Sequence, residues 1–270
     1  MRLLIFGATG FIGSHLTRIA ETEGYDVVAL SRSGKNPGGA GETYRWQLGD
    51  LAPAQALSAG SCAIHLAHDF GGAAGARLTV DATLTLMMQL RLEGVERQIF
   101  FSSYSAGPQA RSIYGLTKLQ IERGIAGCED IIIVRPGLVL GSGGIYGRLR
   151  KWARQLPIIP LPDGGRGLVP IITIEDLCTK TLIVARLQGP DREFNLFEPK
   201  LRSLHHLIQD AAAEAGRKPW VMPIPSALIL AGLRAAEMFH LPLPINADSL
   251  NGFLANQTAR HVSDMERICQ

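Results

Sequence analysis

The stretch Gly7-Ala8-Thr9-Gly10-Phe11-Ile12-Gly13 constrains this chain more than any other. Ahead of it, residues 3–6 are apolar and of strand length; behind it, residues 14–23 read as a helix. Glycines at this spacing, between a strand and a helix, suit a turn whose backbone runs close to an anion. Gly7 permits the sharp turn, Gly10 keeps a side chain out of the phosphate's way, and Gly13 lets helix and strand pack closely. The amides and dipole at the helix start then face the pyrophosphate of a dinucleotide. On this reading Gly7, Thr9, Gly10, Phe11, Ile12 and Gly13 line the ligand.

Further strand-like runs follow at 26–30, 43–47, 62–66, 98–101 and 131–134, with helical stretches at 53–59, 77–93 and 112–126. The alternation predicts an α/β chain with a Rossmann-type, doubly wound parallel sheet. Ligands of such sheets lie at the carboxyl ends of the strands. A length of 270 residues accommodates one such domain and a smaller, mainly helical one. Residues 1–140 with 168–200 are expected to form the dinucleotide-binding domain, and 141–167 with 201–270 the substrate-side domain.

The strand ends carry the residues with chemistry to offer. The second closes on Leu30-Ser31-Arg32-Ser33, without the acid that takes the ribose hydroxyls of NAD. A guanidinium there suits a 2′-phosphate, so Arg32 favours NADP(H), with NAD(H) as the alternative. A solvated surface arginine is the plainer reading. Asp50 and Leu51 follow the third strand; Asp50 also fits an ordinary helix-start carboxylate ahead of Pro53. The fourth strand runs into His65-Leu66-Ala67-His68, where two histidines suggest a metal pair but no third ligand accompanies them.

The fifth strand ends in Ser102-Ser103, and Tyr114 and Lys118 come soon after. Four apart on a helix, they share one face. Hydride chemistry at a carbinol needs a group that takes or gives the hydroxyl proton. A tyrosine is poorly ionised at neutral pH, and a nearby ammonium lowers its pKa. An upstream serine hydroxyl can orient the substrate oxygen.

These motifs resemble the short-chain dehydrogenase/reductase superfamily. The Gly-Ala-Thr-Gly-Phe-Ile-Gly wording is similar to its extended and atypical branches, described as NAD-dependent epimerase/dehydratase. The resemblance runs from Leu3 to about Asp176 with specific motifs. It implies Tyr114 as acid/base, Lys118 as its tuner and holder of the nicotinamide ribose, and Ser103 rather than Ser102 as the catalytic serine. It places Asp50 and Leu51 beside the adenine, and Leu66, Ala67 and His68 along the cofactor. Arg135-Pro136-Gly137-Leu138-Val139-Leu140-Gly141 resembles the family turn that passes the nicotinamide, which adds Pro136 and Leu138. One departure is the short interval of ten residues between Ser103 and Tyr114, which opens the site on that side.

The activity implied is NADP(H)-dependent hydride transfer on a nucleotide-linked sugar, as reductase or epimerase. A cofactor-binding protein without turnover and a reductase of a small non-sugar carbonyl are the alternatives. Tyr104 and Ser105 stand where a dehydratase would want an acidic pair. In the second half, residues 146–155 form a basic helix with Arg148, Arg150, Lys151 and Arg154. That is either a solvated face or, through Arg148, a grip on a substrate diphosphate. Arg166 stands loosely where family members face their substrate. Thr173 and Asp176 read as a helix cap, as does Ser203. Residues 226–239 form an apolar helix, expected to be buried or at an interface.

A net charge of +3 is too small to argue for nucleic acid. Four cysteines far apart, Cys62, Cys128, Cys178 and Cys269, give no metal or disulfide framework and fit a reducing, cytoplasmic setting. No run reaches the length of a membrane span, and the N-terminal strand is too short for a signal peptide. The family resemblance further implies a homodimer built through helices 77–93 and 112–126.

Overall fold

The structure is a computed structural model that describes residues 1–39, 41–57, 61–239, 243, 245–257 and 261–268. In chain order the first elements are β1 (Arg2–Phe6), α1 (Phe11–Thr22), β2 (Asp26–Ser31), β3 (Glu42–Arg45), β4 (Cys62–His65), α2 (Gly72–Leu92), β5 (Arg97–Phe101), α3 (Ile113–Gly124) and β6 (Ile131–Pro136). Then come β7 (Leu138–Leu140), α4 (Gly144–Gln155), β8 (Ile158–Pro162), β9 (Leu168–Val169), β10 (Ile171–Thr173), α5 (Ile174–Arg186) and β11 (Glu193–Leu196). The chain finishes with β12 (Arg202–Ser203), α6 (Leu204–Ala213), β13 (Trp220–Ile224), α7 (Ser226–Met238) and α8 (Ala247–Asn256).

Seven strands form one parallel sheet in the order β11-β6-β5-β4-β1-β2-β3. Strand order reverses at β1, the doubly wound arrangement that the alternation predicts. Both faces of the sheet's inner part are buried, so β1, β2, β4 and β6 are nearly continuous apolar runs, whereas the edge strand β3 is polar and mostly exposed. Leu3 and Ile5 of β1 point to the side covered by α1 and α5, into a core with Leu16, Val27, Ile64, Ile99 and Leu177. Leu4 and Phe6 point the other way, toward Val28, Leu30, Leu86 and Leu90. On that side α2 and α3 close over Val80, Met87, Phe100, Ile121 and Ile133. Register pairs Phe6 with Leu30 and with His65, and His65 with Phe100. The strands therefore end at one level, and the loops after them form a single rim.

The rest is a smaller lobe. Strands β8 and β13 pair in parallel, and α4 and α6 pack on them around Leu149, Ala153, Ile159, Leu161, Ile208 and Val221. The expected caps are present: Thr173 Oγ1 accepts the Asp176 amide at 3.0 Å, and Ser203 Oγ accepts that of His206 at 3.2 Å.

Three expectations need correcting. The helix expected over 53–59 is only a 3-10 turn at Ala54–Ala56, and residues 58–60 lie outside the described ones. Helix α7, expected to be buried or at an interface, is not buried by this chain, which covers only Leu233 well because the apolar residues ring the helix; the interface alternative is the one left. Residues 261–268 do not stay with the small lobe. Asn195 donates its amide to Asp264 Oδ2 at 2.8 Å and accepts the Asp264 amide at 2.9 Å, while Ile268 enters the main core. This tail covers β11, an edge strand that would otherwise offer unpaired backbone.

Candidate active site

The glycine turn leaves β1 with Gly7 at φ 95°, in the left-handed region. A Cβ on Gly7 would stand 2.9 Å from the Ala67 nitrogen, and one on Gly13 2.3 Å from the Gly7 oxygen. Two of the three glycines are thus demanded by packing: one brings the turn against the loop after β4, the other brings α1 onto the turn. Gly10 meets only the Gly7 oxygen, at 3.2 Å, and its outer side is open. It caps α1 with no side-chain bond, and no acid lies in the first helical turn. The amides of Phe11, Ile12 and Gly13 at this uncapped start are what an anionic phosphate can accept. The Phe11 ring fills the space beside Gly141 and Gly143, where a Cβ would come within 2.7 and 2.4 Å of it. The turn and the entry to α4 are locked together by that ring.

Around the rim, Leu51 is 70% exposed after β3, an apolar face with no protein cover. Asp50 Oδ2 accepts the Gln47 amide at 3.2 Å and closes its own turn, so the carboxylate is not a helix cap. Arg32 stands exposed past the end of β2 and makes no ion pair among the described residues. Past the strand ends stand an uncapped helix start, an exposed apolar Leu51 and, at Arg32, a guanidinium without an ion pair among the described residues.

At the other end of the rim, α3 carries Tyr114 and Lys118. Ser112 begins it, accepting the Gly115 amide at 3.0 Å. Lys118 is only 3% exposed, with Nζ 4.8 Å from the Phe100 ring centroid and 5.7 Å from that of Tyr114. Burial pulls its pKa down to about 7, against the opposing charge of Glu122. Burial pushes the Tyr114 phenol up to about 12, with Ser103 acting in the opposite sense. The sequence led us to expect Lys118 to lower the Tyr114 pKa; instead desolvation dominates, and the phenol stays protonated at neutral pH.

The two serines separate cleanly. Ser102 is buried and donates to Glu122 Oε1 at 2.5 Å, beneath the sheet end. Ser103 is the one that acts on the phenol, and its Oγ shares a hydrogen bond with Ser105 Oγ at 2.7 Å. Tyr104 between them is structural, its ring edge-on to Phe197 at 5.3 Å and His261 at 4.9 Å.

The histidines part as well. His65 faces into the sheet, stacked on Phe6 at 5.5 Å and bonded to Gln98 Oε1 at 2.9 Å, and burial lowers its pKa to about 4. His68 turns to the site. Its ring meets Tyr114 edge-on at 4.9 Å and Phe70 at 4.5 Å. Burial, and then the Lys118 charge, lower its pKa to about 3, so it is neutral; its Nδ1 is buried without a partner. Phe70 stacks on Tyr114 at 6.0 Å and 14°, and is 79% exposed. Pro136 ends β6 buried, and Leu138 opens β7 half-buried. Arg148 and Arg166 are exposed, on α4 and after the 163–165 turn.

Sequence reasoning missed Glu122 and Asp248. Glu122 lies four beyond Lys118 on the same helix face, a spacing that could have revealed it. Its carboxylate takes a fork from Arg135, Nε at 2.8 Å and Nη2 at 2.7 Å. Asp248, from α8, accepts the Ile113 amide at 2.6 Å and that of Tyr114 at 3.4 Å. No sequence signal could have placed it, since it is 134 residues from Tyr114.

Comparison with known proteins follows the same outline. The NAD dependent epimerase/dehydratase family matches residues 3–196. A 3-diazoavenalumate denitrifying reductase from Streptomyces is 28% identical over 220 residues, 65% of this chain and 69% of that protein. The structure of MoeE5 in complex with UDP-glucose and NAD superposes with a TM-score of 0.71 at 25% identity, covering 83% of this chain and 85% of that one. A UDP-N-acetylglucosamine 4-epimerase from Bacillus cereus gives 0.69 over 97% of this chain and 98% of its own, but at 16% identity it speaks for the fold alone.

Proposed function

Because this chain belongs to the NAD dependent epimerase/dehydratase family, we propose that it is a short-chain dehydrogenase/reductase enzyme that moves hydride at a carbinol or ketone of a nucleotide-linked sugar. The observation that carries this reading is the convergence of Ser103, Tyr114 and Lys118 on the rim that also holds the glycine turn. A bound nicotinamide supplies or takes the hydride. The Tyr114 hydroxyl gives its proton to the carbonyl oxygen as charge develops there, and takes it back in the reverse direction. With its pKa pushed up to about 12, the phenol is protonated at neutral pH, the state from which a reduction starts. Lys118 steadies the phenolate left behind. Ser103 holds the reacting oxygen in line. Arg32 supports NADP(H) over NAD(H), although MoeE5 was solved with NAD. Gly7, Thr9, Gly10, Phe11, Ile12 and Gly13 would hold the pyrophosphate, Asp50 and Leu51 the adenosine, and Leu66, Ala67, His68, Pro136 and Leu138 the nicotinamide side. Arg148 and Arg166 would meet the substrate diphosphate. Subunits would pair through the outer faces of α2 and α3, giving a homodimer.

A second reading, reduction of a small non-sugar carbonyl, is favoured by Phe70. Its exposed ring, parallel to Tyr114, offers a flat apolar wall that a planar substrate fits.

Calorimetric titration tests both. The protein is titrated with NADP(H) and NAD(H), then, loaded, with UDP-, GDP- and dTDP-sugars. Tight NADP(H) and one tight nucleotide sugar are expected. In turnover of that sugar, Tyr114→Phe should lower kcat about a thousandfold or more, with cofactor affinity little changed. A marginal effect would remove Tyr114 from the chemistry. Cofactor binding with no sugar response would move the assignment to the small carbonyl.

A further inference from the structure

Helix α3 is not held in place by its own half of the molecule alone. Its first two amides, those of Ile113 and Tyr114, are orphans of the helix start and need acceptors from outside. Both acceptors belong to one side chain, Asp248, with Oδ1 2.6 Å from the Ile113 nitrogen and Oδ2 3.4 Å from that of Tyr114. The carboxylate also sits at the positive end of the helix dipole. A second contact lies one turn on. Gly252 of α8 passes so close to Ser112 that a Cβ on it would stand 3.0 Å from Ser112 Oγ, the atom that caps α3 by accepting from Gly115.

Helix α8 is in turn built into the small lobe. Asn246 caps it, accepting the Ser249 amide at 2.8 Å, and Glu237 of α7 takes the Ala247 amide at 2.6 Å. Phe253, near its end, packs against the Leu149–Ile208 core, the Tyr146–Leu207 cluster and the Leu233–Leu250 cluster. Gln257, just past it, covers Gly167, next to Arg166. One short helix thus touches three packing clusters of the lobe with one end and the start of the Tyr114 helix with the other.

We propose that Asp248 is a positioning residue for Tyr114: its two hydrogen bonds to the start of α3 set where the phenol lies, and tie that setting to the seating of α8 in the substrate-side lobe. The proposal rests on the reading of Tyr114 as the acid/base. That reading is tested separately by Tyr114→Phe turnover, so each can fail without the other.

The experiment reads the phenol itself, and needs no substrate. The full chain is made with ring-13C tyrosine, and the Tyr114 signal is assigned among the five tyrosines by its loss in Tyr114→Phe. Asp248→Ala, which removes both acceptors, should shift and broaden that signal while the other tyrosines stay in place. Asp248→Asn keeps one side-chain acceptor and should restore the position largely. Gly252→Val pushes α8 from Ser112 by a different route, and should move the same signal even if Asp248→Ala folds poorly. Val28→Ala, in a sheet cluster that neither α3 nor α8 joins, lowers stability away from the contact and should leave the signal where it was. The proposal is overturned if Asp248→Ala and Gly252→Val leave the Tyr114 signal unmoved. It is equally overturned if Val28→Ala moves it as far, since the effect would then be general loosening of the fold.

Discussion

The same kind of ion pair occurs in both halves of the molecule and does different work in each. Under the sheet rim, Arg135 forks onto Glu122 at 2.8 and 2.7 Å with both side chains about nine-tenths buried. In the small lobe, Arg150 meets Glu214 at 2.6 Å, and Arg202 meets Asp210, with both acids more than half exposed. The first pair is desolvated and shares its carboxylate with Ser102, four residues from Lys118. The others are bathed by solvent. Geometry alone would rank them alike; burial separates them.

The largest effect should come from breaking the buried pair. Glu122→Ala leaves Arg135 with Glu193 at the solvent edge and otherwise unpaired in the interior. A loss of about 3–5 kcal/mol in urea unfolding is expected. The contrast fails if the loss is under about 1 kcal/mol, the value typical of a surface pair.

A second, smaller effect separates the halves by pH. His65 is buried in the sheet and its pKa lies near 4, below its ordinary value of 6.5. The unfolded chain therefore binds the proton first. Stability from this group is complete above about 6.5 and is lost as pH falls toward 4. Between pH 7 and 5 the share of His65 is about 2 kcal/mol. His68, with its pKa lowered to about 3, adds in the same direction. His65→Gln should flatten the pH dependence by that amount; urea midpoints at the two pH values decide it.

Legibility in the sequence divides along the same line. Strands β1, β2, β4, β5 and β6 were readable because buried parallel strands are short continuous apolar runs, and the glycine turn fixed the first crossover. That Tyr114 and Lys118 would share one face of a helix just past the end of β5 was readable because an i, i+4 helix pair is a local pattern, whereas the choice of Ser103 over Ser102 came from the family resemblance. What was not readable is whatever closes over long sequence distance. Asp248 reaches α3 from α8, residues 261–268 return to β11, and Phe70 gains meaning only once Tyr114 lies beneath it. The direction of the Tyr114 shift was also hidden, since burial cannot be counted from spacing, and desolvation raises the phenol's pKa where the spacing suggested a lowering.

A third test probes the exposed pairs directly. Glu214→Ala removes the partner of Arg150 at the lobe surface, and the loss should stay below about 1 kcal/mol. The same measurement as for Glu122→Ala applies, so the two halves are compared on one scale. A loss equal to that of Glu122→Ala would show that α4 and α6 depend on this pair as the sheet depends on its own.

The smallest effect is expected on α7, and it is the sharpest test of how the lobe differs from the sheet. By composition this helix should be a core element, with Ala227, Leu228, Ile229, Leu230, Ala231 and Leu233 in one run. Yet Leu228 is 64% exposed and Phe239, just past its end, 69%; only Leu233 is buried. A side chain already in water loses no burial on substitution, so Leu228→Glu should change stability by no more than about 0.5 kcal/mol. Leu233→Ala, by contrast, removes a buried side chain from the Leu233–Leu250 cluster and should cost about 2–5 kcal/mol. If Leu228→Glu instead costs as much as Leu233→Ala, or lowers the mass seen by light scattering, α7 is covered in solution by a second surface. The lobe would then bury its apolar helix as the sheet buries its strands, only with a partner in place of its own chain.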